Sequence, residues 1–141
     1  MKPFINHMRI AIIGSRKYEN KTKIKEMIYK LKTAFGANLE IVSGGSNNGA
    51  DRYAKKYALE LGVNYKEFNP SHTVKNLYSA CSEEYYGKPY HVSQLFHRNS
   101  LIVQYVDKVI AFRSDGKSSG TDHVIKECIK FEKPYIVVSE A

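Results

Sequence analysis

The chain lacks the features that mark most common enzyme chemistries. Its two cysteines, Cys81 and Cys128, have no CxxC spacing and read as reduced thiols, with Cys128 packed among Ile125, Ile129 and Phe131 on a helix. No His/Cys cluster has zinc spacing, His97 reads as incidental and His123 has no spaced partner, so no metal or cofactor is expected. The absence of a GxxxxGK[ST] loop and of a GxSxG elbow excludes the commonest NTPase and serine-hydrolase classes. No apolar run approaches the ~20 residues of a membrane helix, and the opening Met1-Lys2-Pro3-Phe4-Ile5-Asn6-His7 lacks the apolar segment of a signal peptide. A cytoplasmic protein without a membrane partner is the expectation. There is also no internal repeat and no low-complexity tract.

What is present is ordinary globular composition. With 141 residues, 43% hydrophobic and 26% charged, the chain reads as a single domain, 1–141, large enough to bury a core without staples. The net charge of +8 favours polyanions in general. Its lysines, though, are spread through Lys17 to Lys32, Lys55 to Lys56 and Lys126 to Lys133, where they read as solvated helix faces.

Met8-Arg9-Ile10-Ala11-Ile12-Ile13 is a nearly continuous apolar run ending at Gly14, the pattern of a strand buried on both faces. Ile24, Met27, Ile28, Leu31 and Phe35 follow at helical spacing and Gly36 ends them. Leu39 to Ser43 reads as a second strand, the stripe from Ala50 to Leu61 as a second helix and Val63 to Phe68 as a third strand. Leu95, Leu101, Ile102, Tyr105 and Val106 indicate a third helix, Lys108 to Phe112 a fourth strand, Val124 to Ile129 a fourth helix and Pro134 to Val138 a fifth strand. The stretch at about 69–91, interrupted by Pro70, Gly87 and Pro89, reads as an insertion or flap. Strands alternating with helices predict a three-layer α/β/α Rossmann-like sandwich on a mainly parallel five-stranded sheet of order 3-2-1-4-5. Ligands of such folds lie beyond the strand carboxyl ends where the order reverses, here between the first and fourth strands.

Three glycine-bearing turns follow strands and lead toward helices, a layout suited to phosphate because backbone N–H groups and helix dipoles converge there. Gly14-Ser15-Arg16 offers close backbone approach, a hydroxyl and a guanidinium, with Tyr18 just beyond. The second turn runs from Ser43, Gly44 and Gly45 through Asn48 and Gly49 to Asp51, whose carboxylate suits either the helix dipole or a ribose hydroxyl. The third, Ser114 to Thr121, supplies Ser118, Ser119, Gly120 and Thr121, with Asp115 and Asp122 as its nearest carboxylates. Arg98 and Asn99, on the third helix, complete the candidate set. In each case a bland reading stands beside the functional one: an exposed arginine on a plain turn, a cap, or a stem covering apolar surface.

Together, the GSR-x-Y of Gly14 to Tyr18, the SGGSNNGAD of Ser43 to Asp51, Arg98-Asn99 on a helix and Gly120-Thr121 after the fourth strand resemble the SLOG superfamily of Rossmann-like proteins. That group includes DprA, the LOG phosphoribohydrolases and small YspA-like members, and the order and spacing of motifs are most similar to the last. The resemblance implies a nucleotide pocket built by the same turns, and members that commonly pair as homo-oligomers. Arg98 and Gly120-Thr121 match the arginine and the GT of the LOG motif. Val124 stands where that motif has its glutamate and Lys117-Ser118-Ser119 where it has PGG, leaving Asp122 or Asp115 as the substitute carboxylate. Arg98-Asn99 also resembles the start of an arginine-asparagine-arginine stretch of DprA, broken here by Ser100.

Three functions are therefore expected, in this order. The first is a sensor or sequestering module for a nucleotide-like small molecule carrying phosphate and ribose. The second is an N-glycosidic hydrolase or transferase, with Arg98 on phosphate and Asp122 or Asp115 as acid/base. The third is a binder of single-stranded nucleic acid, with Tyr85, Tyr86, Tyr90 and Phe96 as a stacking platform.

Overall fold

The computed structural model describes residues 7–44, 49–68, 92–114 and 119–139. The segment at 69–91, expected as a flap, lies outside them, as does Cys81. Strand β1 (Met8–Gly14) is followed by helix α1 (Lys21–Phe35) and strand β2 (Leu39–Ser43), then by helix α2 (Gly49–Glu60) and strand β3 (Asn64–Glu67). Helix α3 (Val92–Tyr105), strand β4 (Lys108–Arg113), helix α4 (Ser119–Lys130) and strand β5 (Tyr135–Ser139) follow among the described residues. The strands form one parallel sheet of order β3-β2-β1-β4-β5, as expected for a Rossmann-like α/β fold.

The alternation of strand side chains divides the core in two. Ile10, Ile12, Leu39 and Ile41 point to the face covered by α1 and α2, where they meet Ile24, Ile28, Ala54 and Ala58. Ala11, Ile13, Val42 and Val109 point to the other face, against Ile102, Val103, Val124 and Cys128. Cys128 is a packed thiol, and burial pushes its pKa up to about 11. At the sheet edge, Tyr135, Ile136 and Val137 of β5 remain substantially exposed, because an edge strand has a neighbour on one side only.

Local signals set the element ends. The Asn20 carboxamide oxygen caps α1 by accepting from the Lys23 N–H, and Gly36, at φ +59°, takes the chain out of that helix. The consequence for function is that β1, β2 and β4 all end in the same direction. Among the described residues, no helix is long and apolar enough to cross a membrane.

Candidate functional site

The reversal of strand order falls between β1 and β4, and its floor is rigid. Gly14 pairs with Phe112, so closely that a Cβ at Gly14 would stand 1.9 Å from the Phe112 carbonyl oxygen and 2.9 Å from the Ala50 Cβ. Only glycine fits there. The next residue ties the floor together. The Ser15 N–H donates to the Phe112 carbonyl (3.0 Å), its carbonyl accepts from the N–H groups of Tyr18 (3.1 Å) and Ala50 (3.2 Å), and its hydroxyl accepts from the Ser114 N–H (3.2 Å). Arg16 is exposed at the mouth, whereas Tyr18 is buried beneath it with its ring edge-on to Phe112 at 5.4 Å.

The Ser15–Ala50 bond assigns roles to two helix starts. At α2, Gly49 adopts φ +68°, and a Cβ there would meet the Ser15 carbonyl at 2.2 Å, so the β1 turn seals this helix start. At α4, a Cβ on Gly120 would meet nothing within 4 Å among the described residues. Thr121 is buried beside it, and Asp122 pairs with Arg113, the last residue of β4, at 2.9 Å. Asp115 and Ser118 lie outside the described residues, as do Gly45 and Asn48; Ser119 begins α4.

Arg98 and Asn99 are almost fully buried between the two walls. The Arg98 guanidinium donates through Nη1 to the Gly44 carbonyl (2.6 Å) and the Phe68 carbonyl (3.4 Å), with the Asp51 carboxylate 4.0 Å away. It thereby joins the ends of β2 and β3 to the first turn of α2. Asn99 accepts from Arg98 Nε (2.9 Å) and donates to the Gly120 carbonyl (3.5 Å), linking that cluster to α4.

Beneath Gly44 lies a second polar cluster. The Ser43 hydroxyl and the Tyr65 hydroxyl are 2.6 Å apart, Tyr65 donates to Glu67 (3.0 Å) and Lys55 pairs with the buried Glu67 at 3.3 Å. Burial holds the Tyr65 phenol well above its ordinary pKa; the Ser43 bond opposes it and the neighbouring Glu67 reinforces it.

The structure thus places Gly14, Ser15 and Arg16 at the end of β1, and Gly120, Thr121 and Asp122 in the first turn of α4, which follows β4. It places Tyr18, Ser43, Gly44, Asp51 and Arg98 in the supporting layer, with Asn99 between the two. Sequence reasoning missed Arg113, Tyr65, Glu67 and His123. The His123 ring stacks on Phe96 at 4.3 Å, faces Asn99 and lies 3.5 Å from Glu127, and burial lowers its pKa despite that carboxylate. No group of three or more His, Cys, Asp or Glu residues among the described residues could hold a metal ion.

This fold has known counterparts. DNA processing protein A from Helicobacter pylori, a protein with a single-stranded DNA binding mode, superposes with a TM-score of 0.70 at 23% identity, covering 93% of this chain. The chain spans 65% of the length of that protein. The molybdenum cofactor binding protein of Rippkaea orientalis follows at TM-score 0.68 and 21% identity, over 96% of this chain and 78% of that one. The molybdenum cofactor carrier protein of Chlamydomonas reinhardtii gives 0.61 and 18%, over 94% and 76%. These likenesses establish the shared fold. A search of curated proteins finds no match. A model of the YspA, cpYpsA-related SLOG family matches residues 8–73. That segment, which holds the Gly14 turn, Gly44 and Asp51, is similar to the YspA, cpYpsA-related SLOG family.

Proposed function

We propose that the chain binds a nucleotide or nucleotide derivative in the crevice beyond β1 and β4, as a sensor or sequestering module. The observation that carries this reading is the contrast between the two helix starts. The β1 turn seals α2 through the Ser15–Ala50 bond, while at α4 a Cβ on Gly120 would meet nothing within 4 Å among the described residues. A phosphate group therefore fits at Gly120 and Thr121, where the α4 dipole favours an anion and the exposed Arg16 supplies countercharge. Arg98 serves this site indirectly, by clamping the Gly44 turn. The pinned floor suits a pocket formed before the ligand arrives, which spares the ordering cost of binding.

Equilibrium dialysis of the purified chain against AMP, NAD, ADP-ribose and cyclic AMP tests the reading. Retention of one of them, reversed by excess unlabelled ligand, is the expected result; free passage of all four sinks it.

A second reading, single-stranded DNA, is favoured by the fold shared with the Helicobacter protein and by the net charge of +8. A single strand held through its phosphates would bind more weakly as salt rises. An oligonucleotide that fails to bind even at low salt eliminates this reading.

A further inference from the structure

Asn99 touches both walls of the crevice, and its carboxamide has only one orientation that satisfies them. The Arg98 guanidinium has donors only, so the atom facing Nε must be the Asn99 oxygen. The Asn99 nitrogen then faces the Gly120 carbonyl and His123 Nδ1, at 3.5 and 3.4 Å. A donor pointed at Nδ1 requires that nitrogen to be an acceptor, which fixes the neutral His123 tautomer with its proton on Nε2, toward Glu127.

We propose that Asn99 is a positioning residue that sets the spacing between the Gly44 turn and the start of α4, and that neutral His123 holds it in place. A second proton on His123 sets Nδ1–H against the Asn99 NH2, donor against donor. Turning the carboxamide over does not relieve this, because the NH2 would then face Arg98 Nε–H. Either orientation loses a contact, so protonation loosens the link from Gly120 through Asn99 and Arg98 to Gly44. The ionic surroundings do not cancel the effect. Among the described residues, Glu127 and Lys126 of the same helix act on His123 with opposite sign, and α3 presents Phe96 and Asn99, with Arg98 behind them.

The consequence for ligand binding rests on the function proposed above; the link itself does not, and two experiments separate them. In the ligand-free protein, NMR titration follows the His123 imidazole and the backbone amides of Gly44 and Gly120. The expected result is one shared midpoint, below the ordinary histidine value. His123→Gln should abolish that transition in both amides. Asn99→Asp should raise the His123 midpoint, because a carboxylate accepts from both Arg98 and the protonated ring. A Gly44 amide that ignores His123 in the wild type, or that still titrates in His123→Gln, overturns the proposal. With AMP as probe, affinity should fall about tenfold more in the wild type than in His123→Gln from pH 7.5 to pH 5.5, protonation of the phosphate itself being common to both. If AMP binds at neither pH, the AMP reading fails alone and the amide titration still decides the role of Asn99.

Discussion

Arg98 Nη1 lies 2.6 Å from the Gly44 carbonyl oxygen and only 1.6 Å from where a Cβ on Gly44 would be. The absent side chain of one residue is thus the seat of the other. Gly44→Ala should displace the guanidinium and cost at least about 2 kcal/mol in denaturant unfolding. Gly36→Ala is the control: it meets nothing within 4 Å and bears only the strain of φ +59°, about 1 kcal/mol. Equal costs for the two substitutions would contradict the steric account.

Replacing Arg98 tests the clamp from the other side. Arg98→Met keeps much of the stem but leaves the buried Asp51 without the guanidinium 4.0 Å away, and should destabilise by about 3 kcal/mol. Arg98→Lys should recover only part of this, because an ammonium cannot reach Gly44, Phe68 and Asn99 together. Full recovery in chemical unfolding would show that charge alone matters there.

Gly120 separates scaffold from site. A Cβ at this position meets nothing within 4 Å among the described residues, and a carboxylate in the first turn suits the helix dipole. Gly120→Glu should therefore keep or slightly raise the melting temperature while reducing nucleotide affinity at least tenfold. Unchanged affinity would move the phosphate away from α4.

The N-glycosidase alternative turns on Asp122, which is paired with Arg113, or on Asp115, which lies outside the described residues. For a binding module, incubation with AMP or ADP-ribose should release no free base. Base release that disappears in Asp122→Asn would instead identify an enzyme.

At high pH, Tyr105 should report on the far end of the sheet. Its hydroxyl donates to Glu40 at 2.5 Å, and desolvation, reinforced by that bond, raises its pKa to about 12. The folded state keeps this phenol protonated after the unfolded chain has lost its proton. Its contribution is therefore complete below the ordinary tyrosine value and is lost as pH rises toward 12. Tyr105→Phe should flatten that part of the stability profile, as followed by circular dichroism. An identical alkaline profile in the variant would assign the loss to other groups.

The strand order was legible because, the stretch at about 69–91 aside, apolar runs and helical stripes alternate from Met8 to Val138, and short connections leave few topologies. Burial at the edge was not, since the run from Tyr135 to Val138 reads the same in a central strand and in β5. The glycine turns were visible as turns, yet the docking of one on another was not. Nothing local says that the Ser15 carbonyl will close α2. Arg98 could be placed on its helix, but the direction of its guanidinium depends on Gly44 and Phe68, 54 and 30 residues away. His123 was passed over for a similar reason: its partner Asn99 stands 24 residues earlier, on another helix, at no spacing that a motif would record.

The central claim is that a nucleotide binds where α4 opens. A thermal-shift panel of mononucleotides, NAD, ADP-ribose, cyclic nucleotides and short single-stranded DNA, run on the wild type beside Gly120→Glu, tests it most directly. A ligand at a hundred times its Kd stabilises by ~2.7 kcal/mol, roughly 8 °C for a domain of this size. The expected result is such a shift for one nucleotide in the wild type and its loss in Gly120→Glu; a flat response to every nucleotide, or a shift that survives the substitution, would contradict it.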